Sequence, residues 1–202
     1  MKVIEQLLVN AGISPIAGVD EAGRGACAGP LVIASVVLND PFAQELSVVR
    51  DSKEISENKR ESVFDLIHKV AASISVVIVP ASEVDSRGVH AANLDGMRRA
   101  VQGLSVEPAY VLTDGYAIEG LGVPNLAVWK GDQVVVSISA ASVVAKVTRD
   151  RIMRELDQEF PHYGFAGHKG YITAAHTKAL NEHGPCTQHR TSFANIASLI
   201  HK

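Results

Sequence analysis

Apolar residues along this chain fall into short runs separated by longer stretches with helical spacing. Five short runs predict strands, because they are apolar, often β-branched, and bounded by residues that favour turns. The runs span residues 15–21, 30–38, 73–79, 110–115 and 125–132, the last two running into a turn. The segment AGRGACAGP between the first two runs predicts a hairpin, since its glycines and proline favour a reversal of the chain.

Helical spacing occurs between and after these strands. Ser56 can cap a helix, and the apolar positions that follow it recur three to four residues apart. These helices are predicted after Ser56 (with Val63, Phe64, Ile67 and Val70 on one side) and over 90–104, 138–160, 172–183 and 192–200. Three leading strands, followed by strands that alternate with helices, predict an α/β fold with a mixed sheet flanked by helices.

Length and composition favour one domain over residues 1–202, with the sheet in about 1–136 and a helical part in about 137–202. The apolar runs are shorter than the roughly 20 residues of a membrane helix. The first residues show no secretory signal pattern, so we expect a cytoplasmic protein without membrane contact. Cys27 and Cys186 have no pair-like spacing, which favours structural thiols over a disulfide or a zinc site.

Four acids lie at the predicted ends of apolar strands, where a bare carboxylate is costly. They are Asp20, Glu21, Asp114 and Asp132. Oxygen ligands of this kind favour Mg²⁺ or Mn²⁺, and two such ions can support in-line phosphodiester cleavage. Each acid alone could simply cap a turn, but four together favour a site. Side chains alternate along a strand, so we expect the first predicted strand to end or bulge near Glu21 if both adjacent acids serve one site.

The turn Gly23-Arg24-Gly25-Ala26-Cys27-Ala28 also fits a G-x-G-x-x-A dinucleotide-binding pattern. That pattern has to open a helix, whereas here a β-branched run follows at once. The turn is therefore better interpreted as a surface that approaches a sugar-phosphate backbone closely.

Six segments in order resemble the ribonuclease HII family over nearly the whole chain. They are GVDEAGRGACAGPLVIASVVL, DSKEIS (51–56), KGD (130–132), SISAASVVAKVTRDR (137–151), YGFAGHKGYIT (163–173) and HGPCTQHRTSF (183–193). The resemblance implies a ribonuclease H-like fold, a five-stranded mixed sheet flanked by helices, with a C-terminal helical region that completes a substrate groove.

The resemblance also implies a chemistry. The family's metal-binding carboxylates fall on the four acids already identified, with Asp20 the expected bridge between two Mg²⁺ or Mn²⁺ ions. Its GRG motif falls on Gly23, Arg24 and Gly25, and its sugar-packing tyrosine is matched to Tyr163. The implied reaction is endonucleolytic cleavage of RNA in RNA/DNA hybrids and 5′ to ribonucleotides embedded in duplex DNA. It leaves 3′-hydroxyl and 5′-phosphate ends, and we expect the enzyme to act as a monomer.

Phosphate contacts are assigned to three lysines in these segments, Lys53, Lys146 and Lys169. Ser142, Lys146 and Arg149 share one side of the predicted helix 138–160, as a side facing the substrate backbone would require. For Arg149, an ordinary solvated helix face explains the pattern equally well. Glu54 and Ile55 depart from the common family pattern, and Glu54 removes a positive charge. His168 and His189 receive no role.

Two other classes of function stay open at this point. The net charge of −3 is unusual for a nucleic-acid binder, although residues 130–202 are mildly basic while the preceding part is acidic. A protein that binds hybrids without cutting them would bind in Mg²⁺ with no cleavage. A nucleotide-dependent oxidoreductase built on the GRGACA turn would bind NAD.

Overall fold

The computed structural model describes residues 3–51 and 56–200 and contains one five-stranded mixed sheet. Its strands are β1 (Ile16–Ala22), β2 (Leu31–Leu38), β3 (Ala71–Val79), β4 (Tyr110–Asp114) and β5 (Asn125–Val128). The order across the sheet is β3-β2-β1-β4-β5. β2 is antiparallel to β1 and β3, while β1, β4 and β5 run parallel. The predicted hairpin, mixed sheet and flanking helices are confirmed.

Nine α-helices occur in the described parts of the chain. They are α1 (Val3–Asn10), α2 (Glu57–Val70), α3 (Ala81–Arg87), α4 (Val89–Gln102), α5 (Gly131–Val134), α6 (Val136–Glu159), α7 (Phe165–His168), α8 (Ala174–His183) and α9 (Ala194–Ile200). A 3₁₀ helix spans Gln44–Asp51. Ser56 caps α2 as expected, since its hydroxyl accepts the Lys59 N–H. No helix of the described residues is long and apolar enough to cross a membrane.

Two apolar cores lie on opposite faces of the sheet. α2 and α6 cover one face, with Val32 and Ala34 of β2 among the residues they bury. α4 covers the other face and packs on Val19 of β1 and Ile33 of β2. The first half of α6 is buried on nearly all sides, so it carries no single apolar stripe there.

α6 lies close to β1 because of Gly18. A Cβ at this position would stand 2.1 Å from the carbonyl carbon of Ser137, near the start of the helix. Glu5 of α1, which is 1 % exposed, holds the same helix end, since its carboxylate accepts the N–H groups of Val136 and Ser137 at 2.8 and 3.0 Å. These contacts fix the start of α6 against β1.

The predicted strand 125–132 is shorter in the structure. β5 ends at Val128, and Lys130 takes a left-handed backbone conformation with φ 52°. α5 then begins at Gly131. Asp132 therefore lies in a helical turn and not at the end of a strand.

Candidate metal and nucleic-acid site

Three of the four predicted acids come from neighbouring parallel strands. Asp20 and Glu21 lie near the end of β1, and Asp114 is the last residue of β4. Because these strands are parallel, their carboxyl ends meet at one edge of the sheet. Asp132 approaches this edge from α5, where the main-chain N–H of Gly131 donates to Asp114 at 2.8 Å.

The expected break in β1 does not occur. β1 keeps a regular register with β2 through Ala22, with Asp20 opposite Ala34 and Glu21 opposite Ile33. The prediction of an end or bulge at Glu21 is therefore wrong, and the two acids leave opposite faces of an unbroken strand. The neighbouring strand β4 is the one that ends at this edge. Its pairing with β1 stops at Val19, so β1 extends beyond the end of β4. Glu21 can then border the acidic edge from beyond the end of β4.

Asp20 lies in an environment that is unfavourable for a charged carboxylate. It is 4 % exposed, and burial raises the pKa of its carboxyl well above the usual value. The nearby charges of Glu21 and Asp114 raise this pKa further, against hydrogen bonds from the Ser142 hydroxyl and from the Glu21 N–H at 2.7 Å. A cation at this point would relieve both the burial cost and the repulsion.

A cavity of about 510 Å³ brings Glu21, Asp114 and Asp132 together. Asp132 is 7 % exposed, and its main-chain carbonyl accepts a hydrogen bond from the Ser139 hydroxyl. All four acids offer hard oxygen donors, which suit Mg²⁺ or Mn²⁺. Within residues 3–51 and 56–200, no three His, Cys, Asp or Glu side chains already form a group that could hold a metal ion. The donor chemistry and charge thus fit a divalent cation, while a compact ligand cluster is not preformed.

A second cavity of about 340 Å³, here called the GRG cavity, lies beside the first, and Glu21 borders both. The GRG turn forms one of its walls, and α6 contributes a second. The described residues that line it are Glu21, Ala22, Gly23, Arg24, Gly25, Arg60, Ser142, Val143, Lys146 and Tyr171. It offers cations, a hydroxyl and an aromatic ring next to the acids.

The two glycines of the GRG turn serve different purposes. Gly23 has φ 85°, and a Cβ there would stand 1.8 Å from Nε of Arg149. Gly25 has no such constraint, since a Cβ would meet nothing within 4 Å. Gly23 is therefore needed for the fold, whereas Gly25 keeps a cavity wall bare. The turn leads into β2 and not into a helix, which removes the structural basis of a dinucleotide-binding turn.

Tyr163, matched by resemblance to the sugar-packing tyrosine, does not lie at these cavities. It is 8 % exposed, its hydroxyl donates to the Gly184 carbonyl at 2.8 Å, and its ring stacks on Phe165 at 5.3 Å. A ring packed in this way has no free face for a sugar, so the assignment is corrected. Tyr171 lines the GRG cavity instead and is 43 % exposed.

The three predicted phosphate-binding lysines are in different situations. Lys146 lines the GRG cavity and pairs with Asp150 at 2.5 and 2.7 Å. Burial lowers the pKa of Lys146, although the Asp150 carboxylate opposes that effect. Lys169 lines neither cavity among the described residues, and its ammonium donates to the Ala166 carbonyl at 2.6 Å. Lys53, with Glu54 and Ile55, lies outside the described residues.

Arg149 does not face a substrate surface as expected. It is 1 % exposed, and its guanidinium donates to the carbonyls of Pro30, Lys169 and Ala28 at 2.9, 2.8 and 3.0 Å. It also stands 5.6 Å from the centre of the Tyr171 ring. Arg149 therefore joins the GRG turn to the segment that carries Tyr171.

Two histidines that sequence reasoning left without a role, or passed over, support the same segment. His176 Nδ1 lies 2.9 Å from the Tyr171 carbonyl, which can only accept, so this nitrogen carries a proton. His176 Nε2 then accepts from His189 Nε2 at 3.0 Å, and His189 Nδ1 accepts the Cys186 N–H at 2.9 Å. Both rings are neutral in this arrangement. The sequence carries no local signal of this network, because His176 and His189 are 13 residues apart.

Comparison with known proteins agrees with the fold. The structure resembles ribonuclease H2 from Pyrococcus horikoshii with a TM-score of 0.79 and 26% identity, covering 91% of this chain and 96% of that one. The family model for ribonuclease HII matches residues 17–196. The chain therefore belongs to the ribonuclease HII family of enzymes.

Individual relatives support the same membership. The chain is 58% identical over 192 residues to ribonuclease HII from Acidothermus cellulolyticus, covering 95% of this chain and 62% of that protein. It is 54% identical over 200 residues to ribonuclease HII from Mycolicibacterium gilvum, covering 99% of this chain and 79% of that protein. The chain thus spans less than two thirds of the first relative's length and about four fifths of the second's.

Proposed function

We propose that this chain is an endonuclease that hydrolyses the RNA strand of RNA/DNA hybrids and cuts 5′ to ribonucleotides embedded in duplex DNA. The reaction uses two Mg²⁺ or Mn²⁺ ions and leaves 3′-hydroxyl and 5′-phosphate ends. The single observation that carries the proposal is the buried Asp20 carboxyl, whose pKa is raised by burial and by Glu21 and Asp114 beside it. Such a carboxyl at a strand end, in a ribonuclease HII family member, is suited to a divalent cation.

The acids Asp20, Glu21, Asp114 and Asp132 would hold the ions. When bound, the ions supply an activated water and stabilise the charge that develops on the leaving oxygen. Asp114 is held in place by the Gly131 N–H, and Ser142 orients Asp20 through its hydroxyl. Like-charged carboxylates repel one another, so a cation would also draw the acids closer together.

Recognition of RNA requires contact with the 2′-hydroxyl, the group that distinguishes ribose from deoxyribose. Two observations support such a contact in the GRG cavity: Glu21 borders this cavity, and the bare backbone at Gly25 would let a sugar approach closely. The half-exposed ring of Tyr171 offers an apolar surface for the same sugar. Lys146 and Arg24 add positive charge for the flanking phosphates.

The protein would act in the cytoplasm as a single-domain monomer, with α6 and the helices after it completing the groove around the sheet edge. The substrate duplex is the only partner that the reaction requires.

The decisive test offers a DNA duplex with one embedded ribonucleotide and maps the cut in Mg²⁺ and in Mn²⁺. We expect one cut on the 5′ side of the ribonucleotide, none in EDTA, and none on the all-DNA duplex. Binding of the duplex without cleavage in either metal would contradict the proposal and favour a hybrid-binding protein.

A further inference from the structure

An exposed tryptophan lines the cavity of about 510 Å³ that Glu21, Asp114 and Asp132 border, here called the acidic cavity. Trp129 directly follows β5, is 81 % exposed, and lines the same cavity as Glu21, Asp114 and Asp132. A large aromatic side chain left this exposed loses the favourable free energy that its burial would provide. A ligand that covered the indole ring of Trp129 would therefore gain this free energy of burial.

The surroundings of Trp129 indicate what kind of ligand fits. Lys130, also exposed, follows it in a left-handed conformation, and Tyr116 lines the same cavity. The guanidinium of Arg24 lies 4.7 Å from the centre of the Tyr116 ring. Aromatic rings interleaved with cations are the pattern by which proteins hold a nucleic-acid strand, the rings packing on sugars or bases and the cations meeting phosphates.

The acids decide between a nucleic acid and a protein as the occupant. An apolar protein surface on Trp129 would also cover the carboxylates of the same cavity and remove water from them at a large cost. A phosphodiester strand with its divalent cations instead neutralises them. The cavity volume of about 510 Å³ lies within the range of small-ligand sites, about 300–1,000 Å³, and suits one nucleotide unit.

The two cavities share Glu21, so a strand that crosses the acids would meet the GRG turn and Tyr171 on one side and Trp129 on the other. We propose that Trp129 packs on the sugar of a nucleotide flanking the scissile phosphate, opposite the GRG turn, while Lys130 contacts the adjoining phosphate. This inference rests on the proposed function and extends it, because it adds a second aromatic contact to the strand being cut.

The chain contains only one tryptophan, so its intrinsic fluorescence reports on this position alone. The first experiment titrates the Asp20→Asn protein with a duplex containing one ribonucleotide and follows both the anisotropy of a label on the duplex and the tryptophan emission. We expect the emission to change in step with binding and acrylamide quenching to fall at least about twofold, since a packed ring is shielded from the quencher.

The second experiment measures cleavage by Trp129→Ala and Trp129→Phe. We expect Trp129→Ala to raise KM about tenfold with a much smaller effect on kcat, in line with about 1.4 kcal/mol for one aromatic contact. Trp129→Phe should restore most of the affinity because a ring is still present. Leu126→Ala is the matched control, since Leu126 is an exposed apolar residue of β5 that does not line the cavity.

The outcomes separate this inference from the proposed function. Duplex binding and normal cleavage by the wild type, with unchanged emission and unchanged quenching, would overturn the role of Trp129 alone. An emission change that follows protein concentration without nucleic acid would assign Trp129 to self-association and overturn it as well. Failure of the wild type to bind or cut the duplex would overturn both proposals.

Discussion

Charge is buried in two regions of this molecule, with opposite consequences. At the acidic edge of the sheet, burial raises the pKa of Asp20, and the charges of Glu21 and Asp114 beside it raise this pKa further. In the C-terminal part, Arg149 and Arg190 are at most 1 % exposed, yet their guanidinium groups donate to main-chain carbonyls. The Arg190 partners are the carbonyls of Gly29 and Arg24.

The difference shows that burial of charge does not by itself mark a functional site. The two arginines are compensated by fixed carbonyl groups, which makes them structural ties between the GRG turn and the C-terminal segment. Asp20 instead has the charges of Glu21 and Asp114 beside it, and a divalent cation can neutralise the repulsion among them. The partners of a buried charge, more than its burial, therefore indicate its role.

The largest expected effect is on the acidic edge. Asp20→Asn should lower cleavage by at least about 100-fold, the scale of losing one key electrostatic contact in a transition state. Stability should not fall, because the change removes a buried charge that its neighbours disfavour. Cleavage rates and urea unfolding measure the two effects.

Asp85→Asn is the matched control for this change. The Asp85 carboxylate accepts from the N–H and hydroxyl groups of Thr191 and Ser192, outside the acidic edge. This variant should lose about 1 kcal/mol of stability and keep cleavage. A stable Asp20→Asn protein with wild-type turnover would contradict the role of Asp20.

In the region around Arg149 and Arg190, we expect substitutions to lower the free energy of unfolding. Arg149→Met leaves two buried carbonyls and one partly buried carbonyl without their donor, so we expect a loss of about 3 kcal/mol in the free energy of unfolding. Arg154→Met, which removes the partly exposed pairs with Glu57 and Glu61, should cost less than about 1 kcal/mol. Equal losses in the two variants, measured by urea titration, would show that the carbonyl contacts of Arg149 contribute little.

The GRG turn joins the two regions, and its glycines can be tested separately. Gly25→Ala should leave thermal stability nearly unchanged and lower cleavage about tenfold, because a methyl group would project where a sugar has to approach. Gly23→Ala should instead destabilise the protein by more than about 1 kcal/mol, since φ 85° and the Arg149 side chain both oppose a Cβ. A Gly25→Ala enzyme with wild-type activity would place the substrate elsewhere.

A further expected effect concerns the pH dependence of stability. Burial lowers the pKa of His189 to about 4, with the neighbouring His176 contributing, so the folded protein resists protonation there. The unfolded chain binds that proton near pH 6.5, and stability is therefore lost as the pH falls from about 6.5 to 4. His189→Gln should reduce this slope between pH 7 and 5. An identical slope in the variant would assign the loss to other groups.

Sequence patterns predicted the parts of the fold and site that depend on local spacing. Asp114 was identified at the end of β4 because YVLTDG combines an apolar run with a turn. Asp132 was identified as a candidate from the sequence, but its position in α5 was not predicted. That position depends on the left-handed backbone conformation of Lys130, which the pattern of apolar and turn residues does not indicate. The regular β1 was mispredicted because alternation was considered within one strand, whereas the end of β4 beside it shapes the edge.

Long-range packing decided what the sequence could not predict. Arg149 lies on α6 as expected, but carbonyls from residues 28, 30 and 169 draw it inward. The choice between Tyr163 and Tyr171 depends on which ring the C-terminal core buries, and the two residues lie in one short motif. Glu5 holds α6 from more than a hundred residues away.

The most direct test of the account is thermal unfolding of the wild type and of Asp20→Asn in millimolar Mn²⁺. If the acidic edge binds a divalent cation, Mn²⁺ should raise the Tm of the wild type, because a ligand that binds only the folded state stabilises that state. The same addition should raise the Tm of Asp20→Asn far less. An equal rise in both proteins, or none in the wild type, would contradict the claim that this acidic edge is a metal site.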